Sequence, residues 1–184
     1  MKEEQIKSPV SFEVHVSRMP QKGLPVVIEA DEKQRAALAH EHGLEAVERF
    51  HAELLVTAWK RHGVKVEGRV EADIVQTCVV TLDPIQNHIS EKVSGLFLPE
   101  DSKLGRLGFE TGGEMLLDAE GPDSPELFSG DTIDVGALAE EFFGLGIDPY
   151  PRKSGASLQE SPDEKDEPEE GELRRKLRAL IEKS

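Results

Sequence analysis

Apolar and polar residues alternate one by one along residues 64–84, VKVEGRVEADIVQTCVVTLDP, and the rest of the chain is organised around this stretch. Val64, Val66, Val70, Ala72, Ile74, Cys78, Val80 and Leu82 share one face, interrupted by Gly68 and Gln76. Lys65, Glu67, Arg69, Glu71, Asp73, Thr77 and Thr81 share the other, with Val75 and Val79 among them. Successive side chains of a strand point to opposite faces, so the pattern predicts an antiparallel strand with one buried and one wet face. Typical strands run roughly 5–6 residues. A bend or bulge is therefore expected at Gly68 or near Gln76, where the alternation weakens. Pro84, with no N–H to donate, is expected to stop the ladder.

The same period appears on both sides of this strand. Over residues 47–61, Phe50, Ala52, Leu54, Val56 and Ala58 face one way, and His51, Glu53, Leu55, Thr57 and Trp59 the other. That second face is half apolar, which calls for cover over Leu55 and Trp59 by the first helix or by a partner. Helical spacing of Leu44, Val47 and Phe50 leaves a helix over residues 44–51 open. Arg61, His62 and Gly63 form a tight turn into the long strand. A third strand over roughly residues 88–98 carries Ile89, Val93 and Phe97, and the three make a meander.

Nearer the N-terminus, residues 11–17 read as a short strand and residues 25–29 as an extended piece. Asp31, with Gln34 three residues on, caps a helix over residues 32–42 that Gly43 stops. Residues 99–130 are loop-like with apolar pieces at 104–109 and 115–117, the latter a brief edge strand. Thr132 and Ile133 suggest another. Asp134 then caps a helix with Val135, Leu138, Ala139, Phe142 and Phe143 on one side, the spacing of a core-facing stripe. The fold expected is α+β, an antiparallel β-meander that can curl towards a half-barrel, with two packed helices. It forms one domain over residues 10–152, after a flexible N-terminus at 1–9. A disordered acidic linker at 153–171 and an amphipathic terminal helix at 172–184 follow.

Charge narrows the functions. The net charge is −15, and residues 100–148 carry 13 acids against Lys103 and Arg106. Such a chain lacks the bulk positive field of a nucleic-acid binder, while leaving room for local basic patches. No apolar run approaches the roughly 20 residues of a spanning helix, and the first ten residues show no leader-like run. A cytoplasmic protein without membrane attachment is expected. Cys78 is the one cysteine; on the apolar strand face it reads as a small buried hydrophobe. His40 and His42 point apart on a helix, Glu140 and Glu141 are adjacent and solvated, and no phosphate loop or nucleophile motif is present. No enzyme, cofactor or metal site is expected.

Two blocks nevertheless stand out together. Cys78-Val-Val-Thr-Leu-Asp-Pro84 resembles a signature of the form Cys-x-x-(Cys or Thr)-Leu-x-Pro. Further on, Asp131-Thr-Ile-Asp-Val-Gly-Ala-Leu-Ala-Glu-Glu141 leads into Leu145-Gly-Ile-Asp-Pro-Tyr-Pro-Arg152. In this order and spacing they resemble the YceD family, the large ribosomal RNA subunit accumulation proteins, over about residues 12–152. The Asp-Pro-Tyr-Pro-Arg ending is similar to alphaproteobacterial members. The family positions carried over are Cys78, Leu82, Pro84, Asp131, Asp134, Glu141, Pro149 and Pro151. Many members hold further cysteines that suggest a metal. Here Thr81 stands at the second one and none follows Cys78, so the resemblance carries no zinc site onto this chain.

The resemblance implies a non-enzymatic role in accumulation of large-subunit ribosomal RNA and in ribosome assembly. Pre-ribosomal RNA would meet basic groups: Lys60, Arg61, Lys65 and Arg69 around the hairpin, Arg174, Arg175 and Arg178 in the terminal helix. A basic ribosomal protein would meet Asp131, Asp134, Glu140 and Glu141. The plainer alternatives are a solvated strand face for the basic set and helix capping for Asp134. A different class of function, a cytoplasmic protein-binding adaptor with no RNA role, would use Leu55 and Trp59 or the terminal helix.

Overall fold

The computed structural model describes residues 7–60, 62–100 and 125–155. Arg61, the apolar pieces at 104–109 and 115–117, most of the expected linker, and the terminal helix with Arg174, Arg175 and Arg178 lie outside the described residues. The chain divides after Lys153, and the fold below is that of the part up to Lys153.

The elements in order are β1 (Glu13–His15), a 3-10 turn (Val16–Arg18), β2 (Leu24–Glu29), α1 (Glu32–Glu41), β3 (Ala46–Trp59), β4 (Gly63–Thr77), β5 (Pro84–Pro99), β6 (Glu126–Phe128), β7 (Thr132–Asp134) and α2 (Val135–Leu145). The fold is α+β. Among the described residues, an open five-stranded sheet has the order β2-β3-β4-β5-β6, and β1 pairs with β7 in a separate two-stranded ribbon. The meander β3-β4-β5 is antiparallel throughout, β2 extends it antiparallel to β3, and β6 runs parallel to β5.

The alternating pattern sets the core. Phe50, Ala52, Leu54 and Val56 of β3, Val64, Val66, Val70, Ala72 and Ile74 of β4, and Ile89, Val93 and Phe97 of β5 are all buried. Val135, Leu138, Ala139 and Phe143 of α2 join them, with Leu38 and Ala39 of α1. Phe143 meets Phe50 edge to face, ring centroids 5.5 Å apart. Both helices start as their sequences predict. Asp31 and Gln34 form the full capping box, each side chain bonded to the other's backbone N–H at 2.9 Å, and Gly43 follows α1 at φ +64°.

Several expectations are corrected. Residues 44–51 hold no helix; β3 begins at Ala46. The register irregularity sits in β3, between Val47 and Arg49, and not at Gly68 or Gln76 of β4. Gly68 pairs regularly with Leu54 and Val93. It is glycine because a methyl group there would lie 2.0 Å from the Glu53 carbonyl oxygen. Gln76 stays in the ladder, buried and fully bonded. β4 ends at Thr77 rather than at Pro84, and Pro84 opens β5, paired with Thr77. A strand's first residue tolerates the missing N–H. Leu82 consequently leaves the inner face and is exposed. β6 falls within the stretch read as loop. Leu55 is exposed, so α1 does not cover it.

Candidate functional site

The turn between β4 and β5 is built around a sulfur atom. Cys78 is fully buried. Its N–H donates to Asp83 O (2.8 Å) and its carbonyl accepts from Leu82 N–H (3.0 Å), closing the six-residue turn. Its Sγ accepts from Thr81 N–H (3.4 Å) and, across the chain, from Lys153 N–H (3.4 Å). These bonds favour the thiolate over the thiol. The Thr81 hydroxyl contributes most and the Lys153 and Thr81 amides next; together they outweigh burial and lower the thiol to about 6.

Residues 148–153 lie against this turn. Val79 N–H donates to Pro151 O (3.0 Å), and Lys153 Nζ donates to Asp83 Oδ2 (3.1 Å). That ammonium, first among the causes, holds the Asp83 carboxyl below its usual range. Gln76 completes the seam: its Nε2 donates to Asp148 O (2.8 Å), and its Oε1 accepts from Asn87 Nδ2 (2.7 Å). Pro151 is buried and Pro149 exposed. Cys78, Leu82 and Pro84 of the first block and Pro149 and Pro151 of the second thus belong to one platform.

Two acids of the second block are taken up by donors of the N-terminal segment. Asp134 Oδ1 accepts from Gly136 N–H and Ala137 N–H at 3.0 Å, the N-cap predicted, and also from Phe12 N–H at 2.8 Å. Its Oδ2 accepts from the Ser11 hydroxyl. Asp131 accepts from Ser17 N–H (3.0 Å) and the Ser17 hydroxyl (2.7 Å), and that hydroxyl is the main cause holding its carboxyl low. Glu140 is buried, 3.1 Å from His42 Nε2, and His42 stands edge-on to Phe143. Glu141 is exposed beside a groove of about 380 Å³ between β6 and α2. Glu126 shares that groove, its carboxyl pushed up by partial burial and then by Glu141.

Of the basic set, Lys60, Lys65 and Arg69 lie among the described residues, and each has its own partner. Lys65 pairs with Glu67 (2.8 Å), and Arg69 Nη1 donates to the Ser90 hydroxyl (2.9 Å) on a strand face where Arg69 sits opposite Glu53. Lys60 stands over the Trp59 ring, 5.0 Å from its centroid. Among the described residues, no three His, Cys, Asp or Glu side chains group to hold a metal ion, and no helix is long and apolar enough to cross a membrane.

Sequence reasoning missed Tyr150, Val79 and Lys153 as parts of the site, and Ser11 and Ser17 as partners of the acids. The Tyr-Pro pair at 150–151, an aromatic in an extended stretch with no apolar period, was the available signal. The model of the family described as "Large ribosomal RNA subunit accumulation protein YceD" matches residues 66–179, which include both blocks. No curated protein and no solved structure matches the chain.

Proposed function

Because the chain belongs to the YceD family, the large ribosomal RNA subunit accumulation proteins, we propose that it supports accumulation of that RNA as a non-enzymatic factor in large-subunit assembly. The observation that carries this is the family match over both blocks, together with their meeting in one platform. The non-enzymatic reading is supported by how the polar side chains are used. Cys78 is enclosed, Asp131 and Asp134 hold the N-terminal segment, and Glu140 is buried against His42. The protein would act in the bacterial cytoplasm, on pre-ribosomal RNA or on a basic ribosomal protein.

A tagged copy, sedimented through a ribosome gradient with and without nuclease, tests this. Comigration with large-subunit precursors, and lowered large-subunit RNA in a deletion strain, are expected. A protein that stays at the top of the gradient, with normal RNA in the deletion, contradicts the proposal and favours an adaptor role.

A further inference from the structure

We propose that the platform of residues 78–84 and 148–153 is a docking surface whose anchors are Leu82 and Tyr150, and that its partner is a basic protein with an apolar pocket. This rests on the assembly role proposed above and names the partner of the same site. Leu82 is 76% exposed, Tyr150 71% and Val79 47%, and their backbones are tied together through Cys78, Pro151 and Lys153. Leu82 also sits at φ +60°. A leucine there is strained, since its Cβ crowds the following carbonyl, and Gly or Asn would fit better. Strain of this kind persists where surrounding structure over-determines it. Here the Cys78 bonds to Leu82, Asp83, Thr81 and Lys153 do so.

The turn thus holds a large apolar side chain out in water at a position better suited to asparagine. A buried anchor in a complex accounts for that choice, and an exposed tyrosine on the segment bonded to the same turn is a usual companion in such interfaces. Charge selects the partner. The Asp83–Lys153 pair neutralises the platform's flank, and the chain's net charge of −15 repels a polyanion while attracting a basic protein.

Purified full chain and its Leu82→Asn and Leu82→Met variants are to be titrated against two probes. These are the proteins stripped from purified large subunits by high salt, and naked large-subunit RNA. Wild type and Leu82→Met should bind protein. Leu82→Asn should bind it tenfold to a hundredfold more weakly, roughly the worth of burying one leucine, with its melting temperature equal or raised. Equal binding by all variants, binding to RNA alone, binding to neither probe, or a dimer of this chain that Leu82→Asn dissolves would each overturn the proposal. In a deletion strain short of large-subunit RNA, full rescue by Leu82→Asn refutes the platform alone. Normal RNA in the deletion refutes the assembly role beneath it.

Discussion

The two family blocks invert each other. Around the start of α2, the polar residues are taken up by the chain itself: Asp134 and Asp131 gather six N–H and hydroxyl donors from Ser11, Phe12, Ser17, Gly136 and Ala137. Around the β4–β5 turn, the apolar residues point outward: Leu82 and Val79 are exposed while Cys78 supplies the bonds from within. A motif residue therefore does not announce its job by polarity. The acids fasten a distant N-terminal segment to a helix, and the leucine is displayed. The start of the second block is scaffold, and the first block couples scaffold to surface.

Substitutions sharpen this contrast, beginning with the scaffold. A methyl group on Gly136 would lie 2.0 Å from Val10 O and 2.6 Å from Phe12 N. Gly136→Ala should therefore lift the N-terminal segment off α2 and cost about 3 kcal/mol or more in urea unfolding. A loss below about 1 kcal/mol would mean that the segment does not depend on this contact. Asp134→Ala removes a cap and strands the Phe12 and Ser11 donors, an expected loss of about 2–4 kcal/mol by the same titration. An unchanged unfolding midpoint would reduce Asp134 to a surface acid.

The platform should respond more gently and to pH. The Cys78 thiol lies at about 6 against an ordinary 9.0, lowered chiefly by the Thr81 hydroxyl. A depressed folded value means the thiolate's stabilisation is complete above about pH 9, shrinks as the pH falls, and is gone below about pH 6. Thermal melts of wild type should show that slope, and Cys78→Ala should flatten it; parallel profiles would rule the thiolate out. The smallest effect has the opposite sign. Leu82→Asn relieves left-handed strain and should raise stability by up to about 1 kcal/mol. A clear loss in calorimetry would show that Leu82 packs in the folded chain and is not there for display.

Much of the sheet was legible because burial follows a period of two: Val64 to Ile74 and Phe50 to Val56 fall inside as their spacing requires. The same alternation misled at Val80 and Leu82. Nothing in a period reveals that Cys78 N–H turns to Asp83 O and closes the ladder. β6 was illegible because its three residues become a strand only by lying parallel to Phe97, Leu98 and Pro99. The Asp134 cap was readable from local spacing, whereas its bonds to Ser11 and Phe12 span more than a hundred residues. The platform is joined in part by backbone groups, the Val79 N–H on Pro151 O and the Lys153 N–H that reaches the Cys78 sulfur. Such groups leave no mark in the sequence.

The joining of the two blocks is tested most directly by native-state hydrogen exchange at the Val79, Thr81 and Lys153 amides. All three should exchange slowly in the wild type. In Cys78→Ala, the Thr81 and Lys153 amides should both speed up, although they are far apart in sequence and share only the sulfur. Fast exchange of Val79 and Lys153 in the wild type would contradict the account, because the segment at 148–153 would then not be held against the turn.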